Sequence, residues 1–97
     1  MPGRSFEVAV DANDPTRLRP FWCTALNYVE MVTDEGAVDL VDPAGRGPTI
    51  WFQSVPETKT AKNRLHLDIK IPPTRRAALV EELTALGGTV VTSIYDW

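Results

Sequence analysis

A chain of 97 residues with 43% hydrophobic and 24% charged side chains has room for one compact domain, and a domain of this size buries little more than ~60% of its unfolded surface. The formal charge of -3, with 13 acidic against 10 basic residues, argues against a nucleic-acid-binding face, which needs clustered excess Lys and Arg. The single cysteine, Cys23, excludes an intramolecular disulfide and a multi-cysteine zinc site. No apolar run approaches the ~18 residues of a membrane span, and "MPGRSFEV" lacks the apolar segment of a signal peptide. The expectation is a soluble, cytoplasmic protein.

"SFEVAVD" alternates, with Phe6, Val8 and Val10 on one face and Glu7, Ala9 and Asp11 on the other, the period-2 pattern of a half-buried strand. A helix is expected next, from about Pro15 to Leu26. Asp14 is placed to cap it and Pro15 suits its first turn, while Leu18, Phe21, Trp22, Ala25 and Leu26 form its apolar stripe. Pro20 removes a backbone hydrogen bond and is expected to distort the first turn. Phe21 and Trp22, at helical spacing, read as core residues.

"YVEMVT", "AVDLVD" and "PTIWFQSV" read as three short strands, separated by turn chemistry at 34–36 and 43–48. In the last of them Trp51 shares a face with Gln53 while Phe52 points the other way. A polar connector, "PETKTAKN", leads to "RLHLDIKI", where Leu65, Leu67, Ile69 and Ile71 alternate with His66, Asp68 and Lys70. That segment reads as a two-faced strand. A second helix, capped by Thr74 and stopped at Gly87, carries Ala77, Leu79, Val80, Leu83 and Leu86. "TVVTSIYDW" reads as a final strand.

An internal repeat appears when "FEVAVDANDPTR" is laid on "LHLDIKIPPTRR" with the apolar faces matched. Phe6 then answers Leu65, Val8 answers Leu67, Val10 answers Ile69, and Glu7 falls on His66. Sliding by one residue aligns the two "PTR" triplets but reverses the strand's faces, so the first register is preferred.

Strand, helix and three strands, followed by strand, helix and strand, resemble the tandem βαβββ modules of the vicinal oxygen chelate superfamily. More narrowly, "VDANDPTRLRPFWCTALNY", "VPETKTAKNRLHLDI" and "LTALGGTVV" resemble glyoxalase-like proteins of actinobacterial type. The resemblance implies an α+β fold with a concave mixed sheet and helices on its outer face. It assigns 1–55 to the first module, 56–63 to a connector and 64–97 to an incomplete second module.

The resemblance also implies a divalent metal that binds two neighbouring substrate oxygens and stabilises an oxyanion, held by His and carboxylate ligands with positions left open. Carried over by position, the metal ligands are Glu7, His66 and Gln53. The fourth has no counterpart, because relatives continue through a further strand pair beyond the position of Trp97. An amide oxygen is a poor ligand beside carboxylate and imidazole, and a sheet edge left open by the missing strands invites a second chain.

His66 and Glu7 are therefore the candidate catalytic pair, as metal ligands or as acid and base. Trp51, Gln53, Asp68 and Arg64 are candidate ligand-binding residues, with Trp51 walling an apolar ligand and Gln53 orienting it. Plainer readings stand beside these: a pocket histidine without a metal, a solvent-facing Glu7, and a solvated loop for Lys59, Lys62 and Arg64. Cys23 reads as a small inert helix residue. One histidine without a nucleophile motif supports no Ser/His/Asp arrangement, and "GRGP" lacks the Lys and helix of a phosphate loop.

The leading expectation is a homodimeric glyoxalase-like protein that binds a small organic molecule, with metal-assisted lyase or isomerase chemistry on a carbonyl compound. Two alternatives stay open: a non-catalytic drug-binding protein of the bleomycin-resistance type, and a truncated paralogue that folds as an oligomer and has no site.

Overall fold

The structure, a computed structural model, describes residues 2–91. Strand β1 (Val8–Ala12) is followed by helix α1 (Pro15–Leu26) and by strands β2 (Val29–Val32), β3 (Val38–Val41) and β4 (Ile50–Ser54). A long extended stretch then leads to a 3-10 turn (Pro73–Arg75) and helix α2 (Arg76–Ala85). The fold is α+β, as expected, and its first half is a complete βαβββ unit.

The four strands form one mixed sheet in the order β1-β4-β3-β2. β1 runs parallel to β4, while β2, β3 and β4 pair antiparallel. Parallel neighbours need a long crossover, supplied here by α1 together with the β2–β3 hairpin.

Alternation decides which side of the sheet is dry. Leu40, fully buried, lies opposite Ile50, which in turn lies opposite Val8, so all three project to one face. Ala12 and the helix residue Ala25 complete the buried set among the described residues. α1 packs against β4 and β2 and covers this face with Leu18, Phe21, Trp22 and Leu26 half-buried. The Phe21 and Trp22 rings meet edge to face, with centroids 5.1 Å apart, a favoured aromatic geometry.

α1 spans the expected residues with Pro20 inside it. Its end is closed by Asn27 in the left-handed region (φ 56°), which lets the Tyr28 N–H donate to the Cys23 carbonyl at 3.0 Å; Asn is one of the few residues that adopts this conformation readily. α2 lies against α1, and Gly88, just after α2, sits close to α1. A Cβ built there would meet the Phe21 ring at 2.7 Å and the Leu83 carbonyl at 2.9 Å.

Three expectations need correction. The segment 64–71 is extended but belongs to no strand. A strand is defined by its ladder, and although the alternation is present, no described edge pairs with it; Leu65 is left 80% exposed and Leu67 45%. Asp14 occupies the N-cap position of α1 but its side chain makes no capping bond. Only its carbonyl is engaged, by the Arg17 N–H at 3.2 Å, while Pro15 supplies no donor at all. Thr74 does not cap α2, because it lies within the 3-10 turn that precedes the helix. The second helix does stop as expected, with Gly87 at φ 102°. Of the last expected strand, 89–91 lie outside any strand, and the remainder falls outside the described residues.

Leu40 fills the centre of the only fully dry contact among the described residues. Leu40→Ala is expected to lower unfolding free energy by about 2–5 kcal/mol, read as a lower urea midpoint at unchanged slope.

Candidate functional site

The face of the sheet opposite α1 is built from the other half of each strand. Trp51 on β4 lies opposite Ala9 on β1 and opposite Asp39 on β3, and Asp39 lies opposite Met31 on β2. This gives a row of Met31, Asp39, Trp51 and Ala9 across the whole sheet. Beside it, Gln53 pairs with Asp11, and Val41 pairs with Val29. Directly opposed side chains sit roughly 4.5–5.5 Å apart at Cβ, so each pair acts as a unit.

Trp51, Asp39 and Val41 are half-buried, whereas Ala9, Asp11 and Gln53 are exposed. Met31 and Val29 are 46% and 47% exposed. No described helix covers these residues, and Ala9, opposite the indole, carries only a methyl group. Glu7 stands one residue before β1. The ladder opens at Val8, whose N–H donates to the Thr49 carbonyl at 2.9 Å.

The expected site residues are thus divided. Trp51 and Gln53 lie on the free face, and Glu7 immediately precedes β1. His66, Arg64 and Asp68 lie on the exposed extended stretch outside the sheet. There, Lys62, Asn63, Arg64 and His66 line a small cavity of about 180 Å³. The start of the connector is tied to the end of β1. Asn13 donates from Nδ2 to the carbonyls of Val55 (2.9 Å) and Glu57 (2.8 Å), and the Val55 N–H donates to the Ala12 carbonyl at 2.9 Å.

A larger open groove of about 670 Å³ lies between the C-terminal end of α1, residues 69–72 and α2. Cys23 opens onto it, and its thiol is held above the ordinary range, first by burial and second by the nearby charge of Glu30. Both effects disfavour the thiolate, the reactive form.

The β3–β4 loop is organised by one carboxylate. Asp42 accepts backbone N–H bonds from Ala44 at 2.8 Å, Gly47 at 2.9 Å and Arg46 at 3.1 Å. Bonds from Ala44 and Gly47 hold its pKa below the ordinary aspartate value, with Arg46 adding a bond and a charge. Tyr28 reaches the same loop and donates its hydroxyl to the Pro48 carbonyl at 2.8 Å. Burial, then the Asp42 charge, raises its pKa. A Cβ on Gly47 would collide with the Tyr28 hydroxyl, so a side chain there would have to push that hydroxyl aside. This loop sets where β4 begins, and hence where Trp51 stands.

Glu7, Gln53 and His66 contribute one carboxylate, one amide and one imidazole, and among the described residues no three His, Cys, Asp or Glu side chains gather as a metal site. The described donors therefore do not fit a divalent ion by themselves. Asp39 and Met31 were not singled out by the sequence. Their alternation was legible, but that β3 sets Asp39 against Trp51 follows from strand pairing alone.

A family model described as "Glyoxalase-like domain" matches residues 7–97. No curated protein and no solved structure matches the chain.

Because the folded-state pKa of Asp42 is depressed, the carboxylate stabilises the fold above its unfolded-state value. That contribution is lost as pH falls from the ordinary aspartate range through the lower folded value. Asp42→Asn is expected to lower stability at neutral pH and to flatten the acid limb, measured by urea unfolding between about pH 2 and 6.

Proposed function

The chain belongs to the glyoxalase-like domain family, and we propose that it binds a small organic molecule on the free face of its sheet. The observation that supports this is the row in which Trp51 stands between Ala9 and Asp39, with Gln53 and Asp11 beside it. An aromatic wall with a few polar groups is the usual composition of a small-molecule site. Trp51 supplies contact area, Ala9 supplies room, and the Gln53 amide can donate to or accept from the ligand.

A thermal-shift panel of small aromatic and carbonyl compounds tests this. Compounds that raise the melting temperature of the native protein should lose that effect in Trp51→Ala, with the unliganded fold checked by circular dichroism. A panel without any shift, or shifts that survive Trp51→Ala, would overturn the assignment.

Lyase or isomerase chemistry on a carbonyl compound is the second reading, with Glu7, just before β1, and Gln53 on the neighbouring β4 as its candidate groups. The Glu7 carboxylate takes a proton from the carbon next to the carbonyl, and the Gln53 amide donates a hydrogen bond to the carbonyl oxygen as charge gathers there. The proton is then returned at the neighbouring position. Glu7→Gln should abolish turnover of a ketone or aldehyde while sparing its binding. No step is drawn through a metal; metal-content analysis of protein purified without chelator, together with stabilisation by added divalent ions, tests that part of the family expectation.

A second copy of the chain is the proposed protein partner. Among the described residues β1 is paired on one side only, and Leu65, Leu67, Val90 and Val91 are exposed; open edges and exposed apolar surface favour association. No helix among the described residues is long and apolar enough to cross a membrane, and a lone, protonated thiol suits a reducing cytoplasm. Light scattering should give twice the chain mass at micromolar concentration, and a stable monomer would overturn the dimer.

A further inference from the structure

The charge of the free face restricts what can occupy it, and this inference rests on that face being the binding site. Its strand positions carry Asp39 and Asp11, with Glu7 one step before β1, and no Lys, Arg or His occupies any of the corresponding positions on β1 to β4. Asp39 is the important member. It is half-buried and stands directly opposite Trp51, so its carboxylate and the indole face present themselves together to whatever lies on the sheet.

We propose that the site selects an organic cation, a quaternary or protonated amine carrying an apolar group, over an anion or neutral molecule of the same shape. The reasons are physical. An indole face attracts a cation through its quadrupole, and an adjacent carboxylate adds a Coulomb attraction that the half-buried setting screens less than open water does. The apolar group of the ligand rests on Met31, Val29 and Val41, whose exposed surface gains by being covered. An anion placed on the same row meets Asp39 and Asp11 with no cation on these strands to offset them.

The sheet's other face carries a contrast. There Glu30 projects toward α1, near Cys23, and plays no part in the selection. Asp39 is therefore the specificity-determining residue, and Trp51 the contact residue.

Three matched probes test the proposal on the native protein by calorimetric titration: benzyltrimethylammonium, benzyl alcohol and benzylsulfonate. The cation should bind at least about tenfold more tightly than the anion, with the neutral compound between them. Raising the salt concentration should shrink that ratio. Asp39→Asn, which preserves shape, should reduce the cation-to-anion ratio severalfold, by weakening the cation and strengthening the anion. Equal or tighter binding of benzylsulfonate, abolished by Trp51→Ala, would overturn the charge selection and leave the face as a site. Failure of all three probes to bind would overturn both. An unchanged ratio in Asp39→Asn would remove Asp39 from its role.

Discussion

Parallel pairing of β1 with β4 is the constraint from which the rest follows. Val8 to Ala12 meet Ile50 to Ser54 residue for residue, and the chain between them must leave the sheet, return as a hairpin and arrive from the same end. α1 is the element that leaves, and by lying on one face it makes that face the core. The ladder's phase then sorts the side chains. Val8, Val10 and Ala12 join Ile50 and Phe52 beneath α1, while Ala9 and Asp11 join Trp51 and Gln53 outside. A slip of one residue would turn β4 over, exposing Ile50 and burying Gln53. Core and candidate site are therefore two consequences of a single register.

That register is held from outside the ladder as well. Asp42 closes the loop before β4 by accepting three backbone N–H bonds, and Tyr28, placed by the end of α1, fastens the loop at Pro48. Beyond β4, Asn13 clasps the connector at Val55 and Glu57. Neither end of the strand is free to shift without breaking polar bonds, and buried or half-buried polar groups left without partners are costly. The indole of Trp51 is thus presented on a strand restrained at both ends, the kind of rigid element on which precise sites are built.

Local chemistry made the first half legible. Period-2 alternation gave each strand's faces, helical spacing gave α1, and Gly and Asp gave the turns, because each of these signals acts within a few residues. What could not be read is non-local. Nothing in "AVDLVD" says that Asp39 will stand across from Trp51 rather than elsewhere, since strand order and register arise from pairing over the whole sheet. The capping errors are of another kind: Asp14 and Thr74 have the right chemistry, but Pro15 and the 3-10 turn alter the backbone at which the side chain would act. The segment 64–71 shows the limit of alternation itself. Leu65, Leu67 and Ile69 line up as a strand's apolar face should, yet a strand also needs an edge, and no described edge receives this one. His66, whose meaning depended on that strand, consequently stands outside the sheet that carries Gln53.

Two exposed apolar surfaces result, and their compositions separate their uses. Burying one leucine fully contributes about 1.5–3 kcal/mol, so leaving Leu65 80% exposed, with Leu67 and Ile69 partly so, forfeits more than a typical surface ion pair returns. Their shared side is uninterrupted by charge, and a protein surface can cover it without stranding a polar group. The free face of the sheet differs, because Asp39 interrupts Met31 and Trp51, and Asp11 follows Ala9. A flat apolar partner laid there would desolvate carboxylates without compensation, at a cost that can exceed the apolar gain. A small molecule that brings its own positive charge meets the indole and the carboxylate together. The 65–71 row therefore suits the proposed second chain, and the sheet suits the proposed ligand.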